Sequence, residues 1–475
     1  MAVDAKAGAT VMRLDARLLP WALGATAAAG GALTAAVAYG SRPVVPLAAV
    51  AAAGIAALAA TAPVRVLYLA ILLVPFKIYT IDLLGAGLSL PEGLFVLSGV
   101  AWAARRILSG AWPAVASPLG KPYVALLLAI VPGIVIALHP FPVVKTLVMW
   151  TAFFLVYQMV VDDGRPETVR TILLALAVSA AVVGAKAAIS PGGKPEQLIG
   201  VGAIASGRPG GSFDDPNILA TFEALGLPAA AAFALGRNLA LRFVGGAAFM
   251  LILAGLALSL SRGGFLAAAG ALLVMLTWRP FRYAAVGALL VVIAFQVTSA
   301  ATLSGEVQQT SVVAGRVQSV SYAASGGDPR FAIWRTTPQM IAAHPFFGIG
   351  ENQYPEASVR YGLYAEDLGG SYQHAHNIPL TIAAETGLLG LAALVWVAVA
   401  LARVLVGACR RLTGLERGLA TAVAAAFTGL ALQGMVDYTI SSNTVAAVTF
   451  VLAACAVVLW RSAPPAHPPL DATST

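Results

Sequence analysis

Charge is what this chain has least of. Only 11% of its 475 residues are Asp, Glu, Lys or Arg, while 59% are hydrophobic; soluble domains carry about 25% charged residues. That is too little polar material to cover a water-soluble enzyme of this length, so a bilayer-embedded chain is expected. Cysteine is nearly absent as well. Cys409, beside Arg410 and Arg411 in a basic connector, and Cys455, inside an apolar run, read as structural and exclude a disulfide framework. There is no CxxC or Cys/His cluster of zinc spacing, no P-loop, no GxSxG and no HExxH. Acidic residues are outnumbered 21 to 29, for a formal net charge of +8. The basic residues are scattered between apolar runs, so positive-inside topology explains them and no nucleic-acid partner is expected.

What the chain has in quantity is long apolar runs. Windows of about 20 residues give roughly fourteen candidate spans. They lie near 18–40, 44–62, 64–82, 90–108, 122–138, 141–162, 168–190, 216–236, 240–260, 263–279, 282–302, 376–403, 417–436 and 440–460. The first follows Lys6, Arg13 and Arg17 but exceeds the roughly 7–15 residues of a signal h-region, and a second run follows at once, so it reads as a span. The fold expected is an all-α polytopic membrane bundle of about 12–14 transmembrane helices. With the N-terminus inside, most basic residues fall on inner connectors, and the short outer ones hold only Arg42, Lys194, Arg208 and Arg262. Both termini are then cytoplasmic.

The chain divides into N-terminal spans (1–190), spans with an outer Gly/Pro loop at 191–215 (191–302), a large extracytoplasmic loop (303–375), and C-terminal spans with a short tail (376–475). Loops beyond about 15 residues are commonly functional. Within the large one, Asp328 to Gly350 reads DPRFAIWRTTPQMIAAHPFFGIG. Phe331, Trp334, Met340 and Ile341 form an apolar stripe near helical period, so a short amphipathic helix on the outer membrane surface is expected.

The densest polar group is at the exit of that loop, QHAHNIPLTIAAETGLLG (Gln373 to Gly390). Histidine gains and loses its proton near neutral pH, so His374 or His376 is a natural general base. The pair can instead be read as an interfacial anchor, or as metal ligands, although no carboxylate or cysteine stands at a supporting spacing. Asn377 joins them as a polar contact. Glu385, buried in an apolar span at a cost of about 2.5–3.5 kcal/mol, lies some 13–14 Å from His376 along a helix, which reads as a hydrogen-bonding brace for the His376 segment. Arg208, Arg262, Arg330 and Arg335 gather on the face that positive-inside topology depletes. Their planar, permanently charged forks suit a diphosphate or anionic lipid head. Lys77, Lys145 and Lys186 also fall near outer span ends, where joining that basic cluster and snorkelling explain them equally well. Asp214-Asp215 before Pro216-Asn217 reads as a turn and helix cap, with a metal-binding pair as the alternative.

Taken in order, several of these segments resemble the O-antigen ligase and polymerase superfamily of bacterial membrane glycosyltransferases. They are Arg208 with the Gly-Ser-Phe…Pro216-Asn217 loop, Ser261-Arg262-Gly263, Arg330…Pro345-Phe-Phe-Gly-Ile-Gly350, and His376-Asn377…Leu380…Glu385-x-Gly387…Gly390. The resemblance covers about residues 200–400. It implies an inverting enzyme without metal or other cofactor, in the bacterial cytoplasmic membrane with its site on the outer face. The donor would be a polyprenyl-diphosphate-linked glycan and the acceptor a sugar hydroxyl on a glycan or glycolipid. It implies His376 as catalytic base, Arg208 and Arg262 as catalytic and diphosphate-binding, Arg330, Arg335, His374 and Asn377 as substrate-binding, and Glu385 and Asn217 as structural supports. A ligase is the expectation, a repeat-unit polymerase the alternative, and a lipid-linked oligosaccharide flippase the rival from another class. The span count exceeds the dozen or so usual in the family, and His374 is a second candidate base.

Overall fold

A computed structural model describes residues 44–77, 80–83, 86–114, 116–189, 196–198, 202–204, 209–213, 215–282, 329–365 and 370–465. The expected spans near 18–40 and 282–302, most of the large loop before 329, Arg208, Lys194 and Asp214 fall outside these described residues. The chain is an all-α polytopic bundle. Its helices are α1 (Val44–Thr61), α2 (Pro63–Leu72), α3 (Leu90–Leu108), α4 (Gly120–Ile130), α5 (Gly133–Ile136), α6 (Pro140–Asp163), α7 (Pro166–Ile189), α8 (Pro216–Ala234), α9 (Leu239–Ser259), α10 (Arg262–Met275), α11 (Pro329–Ala343), α12 (Tyr354–Arg360), α13 (Ile378–Arg411), α14 (Gly414–Gly434) and α15 (Asn443–Ser462). Seven of them, α6, α7, α8, α9, α13, α14 and α15, are long and apolar enough to cross a bilayer. Three short antiparallel hairpins join them: Thr80–Leu83 with Ala86–Ser89, Glu196–Leu198 with Gly202–Ile204, and Tyr364–Ala365 with Gly370–Ser371.

Local chemistry fixes many helix starts. Prolines 63, 91, 140, 216, 355 and 379 stand in first turns, where a missing N–H costs nothing. At α3 the Glu92 carboxylate accepts from the Ser89 N–H at 3.0 Å. The other ends yield two corrections to the sequence reading. The run expected to span 64–82 is helical only to Leu72, followed by a 3-10 turn at Val74–Phe76 and a hairpin strand from Thr80; Pro75 cannot donate into a continuing helix. Helix α13 continues to Arg411, so Cys409 sits in a last helical turn and not in a loose connector.

Helices α8 and α15 are the most enclosed of the spanning set. Helices α7 and α9 pack against α8 and against each other where small residues allow it. A Cβ on Gly184 would lie 2.4 Å from the Leu251 carbonyl oxygen, and one on Gly255 2.5 Å from Gly184 Cα. Such close backbone approach is how helices associate in lipid, where apolar burial gives no driving force between them.

Two further features position the site. The bundle has two chemically different ends. His139, Ser259, Gln433 and Ser442, at one end of α6, α9, α14 and α15, surround the residues described below. Arg105, Asp163, Arg170, Arg411 and Arg461 lie at the other end. Ion pairs there include Arg106–Asp162 at 2.7 Å and Arg170–Glu416. The second feature is a break in α13 at Gly387 (φ 71°, ψ −173°). The break interrupts the helical hydrogen-bond ladder, and the loop 345–350 takes its place: Ile349 N–H donates to Ala384 O at 2.9 Å, Gly350 N–H to Glu385 O at 2.9 Å, and Leu388 N–H to Pro345 O at 2.7 Å. Irregular backbone inside a membrane protein is tolerated where protein groups satisfy it in this way. A Cβ on Gly387 would lie 2.3 Å from the Phe346 carbonyl, and one on Gly348 2.4 Å from that of Glu385. The glycines of Phe-Phe-Gly-Ile-Gly and Glu-Thr-Gly are therefore two halves of one backbone interlock.

Candidate active site

His376 sits where the loop enters α13, in a left-handed backbone conformation (φ 47°) that a non-glycine residue adopts only when its surroundings hold it there. Those surroundings are visible. Trp334 Nε1–H donates to Ala375 O at 3.0 Å, and Ala375 N–H donates to Thr381 Oγ1 at 3.2 Å. His376 N–H donates to His374 Nδ1 at 3.2 Å. Asn377 caps α13 through Leu380 N–H at 2.9 Å and donates to Met435 O at 2.8 Å.

The imidazole itself meets a residue that sequence reading missed. His376 Nδ1 is 3.0 Å from Asp437 Oδ1, 61 positions along the chain in the connector between α14 and α15. Burial alone would raise the Asp437 carboxyl, but the His376 hydrogen bond and charge, with Arg330 and His374 nearby, hold it down at about 2. An ionised Asp437 assigns the proton to Nδ1 and leaves Nε2 as the lone-pair nitrogen. His374 stacks edge-on against His376 at 4.4 Å between centroids and against Tyr438 at 5.3 Å. Burial, then the neighbouring His376, lowers its pKa to about 3.

The arginines divide. Arg262 opens α10 directly after Leu260 (φ 49°), which ends α9, and Ser261, whose hydroxyl caps α10. That hydroxyl also donates to Asn217 Oδ1 at 2.8 Å, and Gln433 Nε2 donates to Asn217 O at 3.2 Å, so Asn217 ties the starts of α8 and α10 to α14. Arg262 and Arg330 together line a cavity of about 230 Å³ with Gly263, Leu266, Phe331, Trp334 and Val436. Val436 adjoins Asp437, which places the cavity beside the His–Asp pair. Arg335 is exposed and does not line it. Helix α11, expected to carry an apolar stripe through Phe331, Trp334, Met340 and Ile341, buries Met340 together with Ile333 and Thr337 and packs Trp334 and Ile341 partly against the Tyr354, Ala357 and Ala375 cluster, while Phe331 is 41% exposed. Helical spacing from Ile333 accounts for that face. Two of the lysines have protein partners. Lys77 pairs with Glu92 at 3.0 Å, and Lys186 donates to Pro75 O and Ser212 Oγ at 2.8 and 3.0 Å. Both ammonium groups are held by protein atoms.

Beneath the histidines lies a carboxyl layer. Glu385 Oε1 accepts from Tyr354 N–H at 3.3 Å, so it braces the 350–354 loop and not the His376 segment directly. Tyr438 Oη–H donates to Glu351 Oε1 at 3.4 Å, and burial pushes the Glu351 carboxyl up to about 7. Asp437 also gives His374 and His376 the carboxylate that neighbouring sequence lacked: the three offer ligand atoms within 4.8 Å of one another, a group of metal-ligand composition. Asp215 accepts from Asn217 N–H at 2.6 Å, as a helix cap does.

Residues 247–395 match the family described as O-antigen ligase. Over that stretch the chain is similar to O-antigen ligases. No curated protein matches it. The matched segment of this O-antigen ligase-like chain holds Arg262, Arg330, Glu351, His376 and both halves of the interlock, while Asp437 and Tyr438 lie beyond it. The seven bilayer-length apolar helices among the described residues and that match support a membrane enzyme of the O-antigen ligase or polymerase type. A lone Asp in a short connector, at the end of the chain's apolar spans that also bears the histidines, was the available signal for Asp437.

Proposed function

We propose that the protein transfers a glycan from a polyprenyl diphosphate carrier to a sugar hydroxyl in one inverting displacement. The acceptor oxygen attacks the anomeric carbon while its proton passes to His376 Nε2. The bond from that carbon to the diphosphate breaks, and the electron pair leaves with the diphosphate. Arg262 and Arg330, with Arg208, hold the leaving group as its charge grows. Asp437 keeps the Nδ1 proton in place and stabilises the imidazolium that forms. His374, Asn377 and Arg335 belong to the glycan-binding surround in this reading, and Glu385 and Asn217 support it. The observation that carries the proposal is the His376–Asp437 pair beside a cavity walled by two arginines. The basic residues at the opposite end support orientation in a bacterial cytoplasmic membrane with that end and both termini inside.

Purified protein given a polyprenyl-diphosphate glycan and candidate acceptors, with a chelator and no nucleotide sugar, should form product. Absence of product, or undiminished product from His376→Ala, rejects the assignment. A single addition per acceptor marks a ligase; a ladder on lipid-linked glycan alone marks a polymerase, which the same residues serve. Movement of the donor across a sealed vesicle without new glycosidic bonds would instead mark a flippase.

A further inference from the structure

At the end of the bundle away from His376 there is a second built cavity. Helix α6 begins at Pro140, where His139 N–H donates to Gln353 at 2.9 Å, and ends at Asp163. Its 24 residues separate the two ends by about 36 Å. The cavity, about 490 Å³, lies between the ends of α1, α2, α3 and α6, and Arg65, Arg105, Arg106 and Arg165 face it together with Asp162 and Asp163.

The charges there do not cancel. Arg106 pairs with Asp162 at 2.7 Å and Arg165 with Asp163 at 2.6 Å. Trp102 Nε1–H also donates to Asp162 at 2.9 Å, and Arg106 lies over the Trp102 ring at 5.7 Å. Both carboxylates are therefore engaged. Arg105 donates to the Thr61 carbonyl at 2.5 Å, and neither it nor the exposed Arg65 has a carboxylate partner among the described residues. Two guanidinium groups remain as net positive charge on a cavity with an aromatic and aliphatic wall of Trp102, Tyr68 and Met159.

The depth of the cavity is marked by its neighbours. Arg106 Nε–H donates to the carbonyl of Trp112, whose side chain is 79% exposed, and Leu108 is 87% exposed. An exposed tryptophan and leucine at the end of an apolar bundle mark the headgroup boundary. Basic pockets between helix ends at that depth suit phosphate-bearing lipid heads.

We propose that this cavity binds the headgroup of an anionic glycerophospholipid, with Arg65 and Arg105 holding the phosphodiester and the apolar wall receiving the start of the acyl region. The site is separate from glycosyl transfer and stands whether or not that reading holds. The test is native mass spectrometry of the detergent-solubilised full chain with phosphatidylglycerol, phosphatidylcholine or inorganic phosphate. Phosphatidylglycerol should be retained about ten- to thirtyfold more strongly by wild type than by an Arg65→Gln/Arg105→Gln variant, and Arg65→Lys/Arg105→Lys should keep most of that preference. Circular dichroism and melting confirm that the variants are folded, since both side chains are exposed. Equal retention of phosphatidylcholine, or unchanged phosphatidylglycerol binding in the Gln variant, overturns the proposal. Displacement of the lipid by millimolar inorganic phosphate would assign the site to a soluble anion and overturn it as well.

Discussion

His376 Nδ1 and Asp437 Oδ1 meet at 3.0 Å across the gap between two membrane helices. That contact makes Asp437→Asn informative. An amide there donates to Nδ1 and drives the proton to Nε2, the nitrogen that has to accept it. Turnover should fall about 10²–10⁴-fold, close to the loss in His376→Ala, with the donor KM little changed. Steady-state kinetics on both variants decide it; an active Asp437→Asn enzyme would falsify the orienting role.

Arg262 and Arg330 share one cavity wall, so their effects should overlap. Each single Ala variant should lose about 10²–10³-fold in kcat/KM for the diphosphate donor, and the double variant less than the product of the two. Arg335→Ala, outside that cavity but in the glycan-binding surround, should raise the KM for the glycan several-fold with kcat little changed. Strict additivity of the first two would mean that they hold different groups.

The interlock at Gly387 predicts a folding phenotype. Gly387→Ala and Gly348→Ala place a methyl against backbone at positive φ, and each should cost about 1–3 kcal/mol or more. Gly54→Ala, in α1 with nothing within 4 Å, should be neutral or slightly stabilising. Melting in one detergent compares the three. Equal melting points would show that the loop yields to the added methyls.

Glu351 sets a pH dependence. Its carboxyl titrates near 7 when folded against 4.5 in an unperturbed chain, so between those values the folded protein binds more protons. Stability from this group therefore falls as pH rises from about 4.5 to about 7 and is level above. His374, lowered to about 3, acts oppositely, with loss as pH drops from 6.5 toward 3. Glu351→Gln should raise the melting point relative to wild type more at pH 8 than at pH 5. An identical difference at both pH values would remove Glu351 as the source.

Much of this was legible in the sequence. Where period and length agree, as in α6, α7 and α9, apolar runs became helices within a few residues of their expected ends. His376, Asn377, Arg262 and Asn217 announced themselves by clustering at span ends in a chain poor in polar residues. Asp437 did not, because a hydrogen bond spanning 61 positions has no local pattern. Helix α11 shows the other limit: Trp334, Met340 and Ile341 of its expected stripe do pack inward, but Phe331 is exposed, and Ile333 with the polar Thr337, whose hydroxyl meets the Tyr354 hydroxyl at 2.7 Å, completes the buried face. Gly387 stands out in the sequence only as part of the Glu385-x-Gly387 motif; the facing loop, 2.3 Å from where its Cβ would be, shows why glycine is needed there.

That glycine has a mechanical consequence. Helices adapt to bilayer thickness by tilting, and an unbroken α13 would carry any tilt straight into the imidazole. The break leaves Ile378–Thr386 as a short cap, and the 345–350 loop is hydrogen-bonded on both sides of it, to Ala384 and Glu385 before and to Leu388 after. A tilt of the Leu388–Arg411 segment therefore meets a break braced by that loop before it reaches His376.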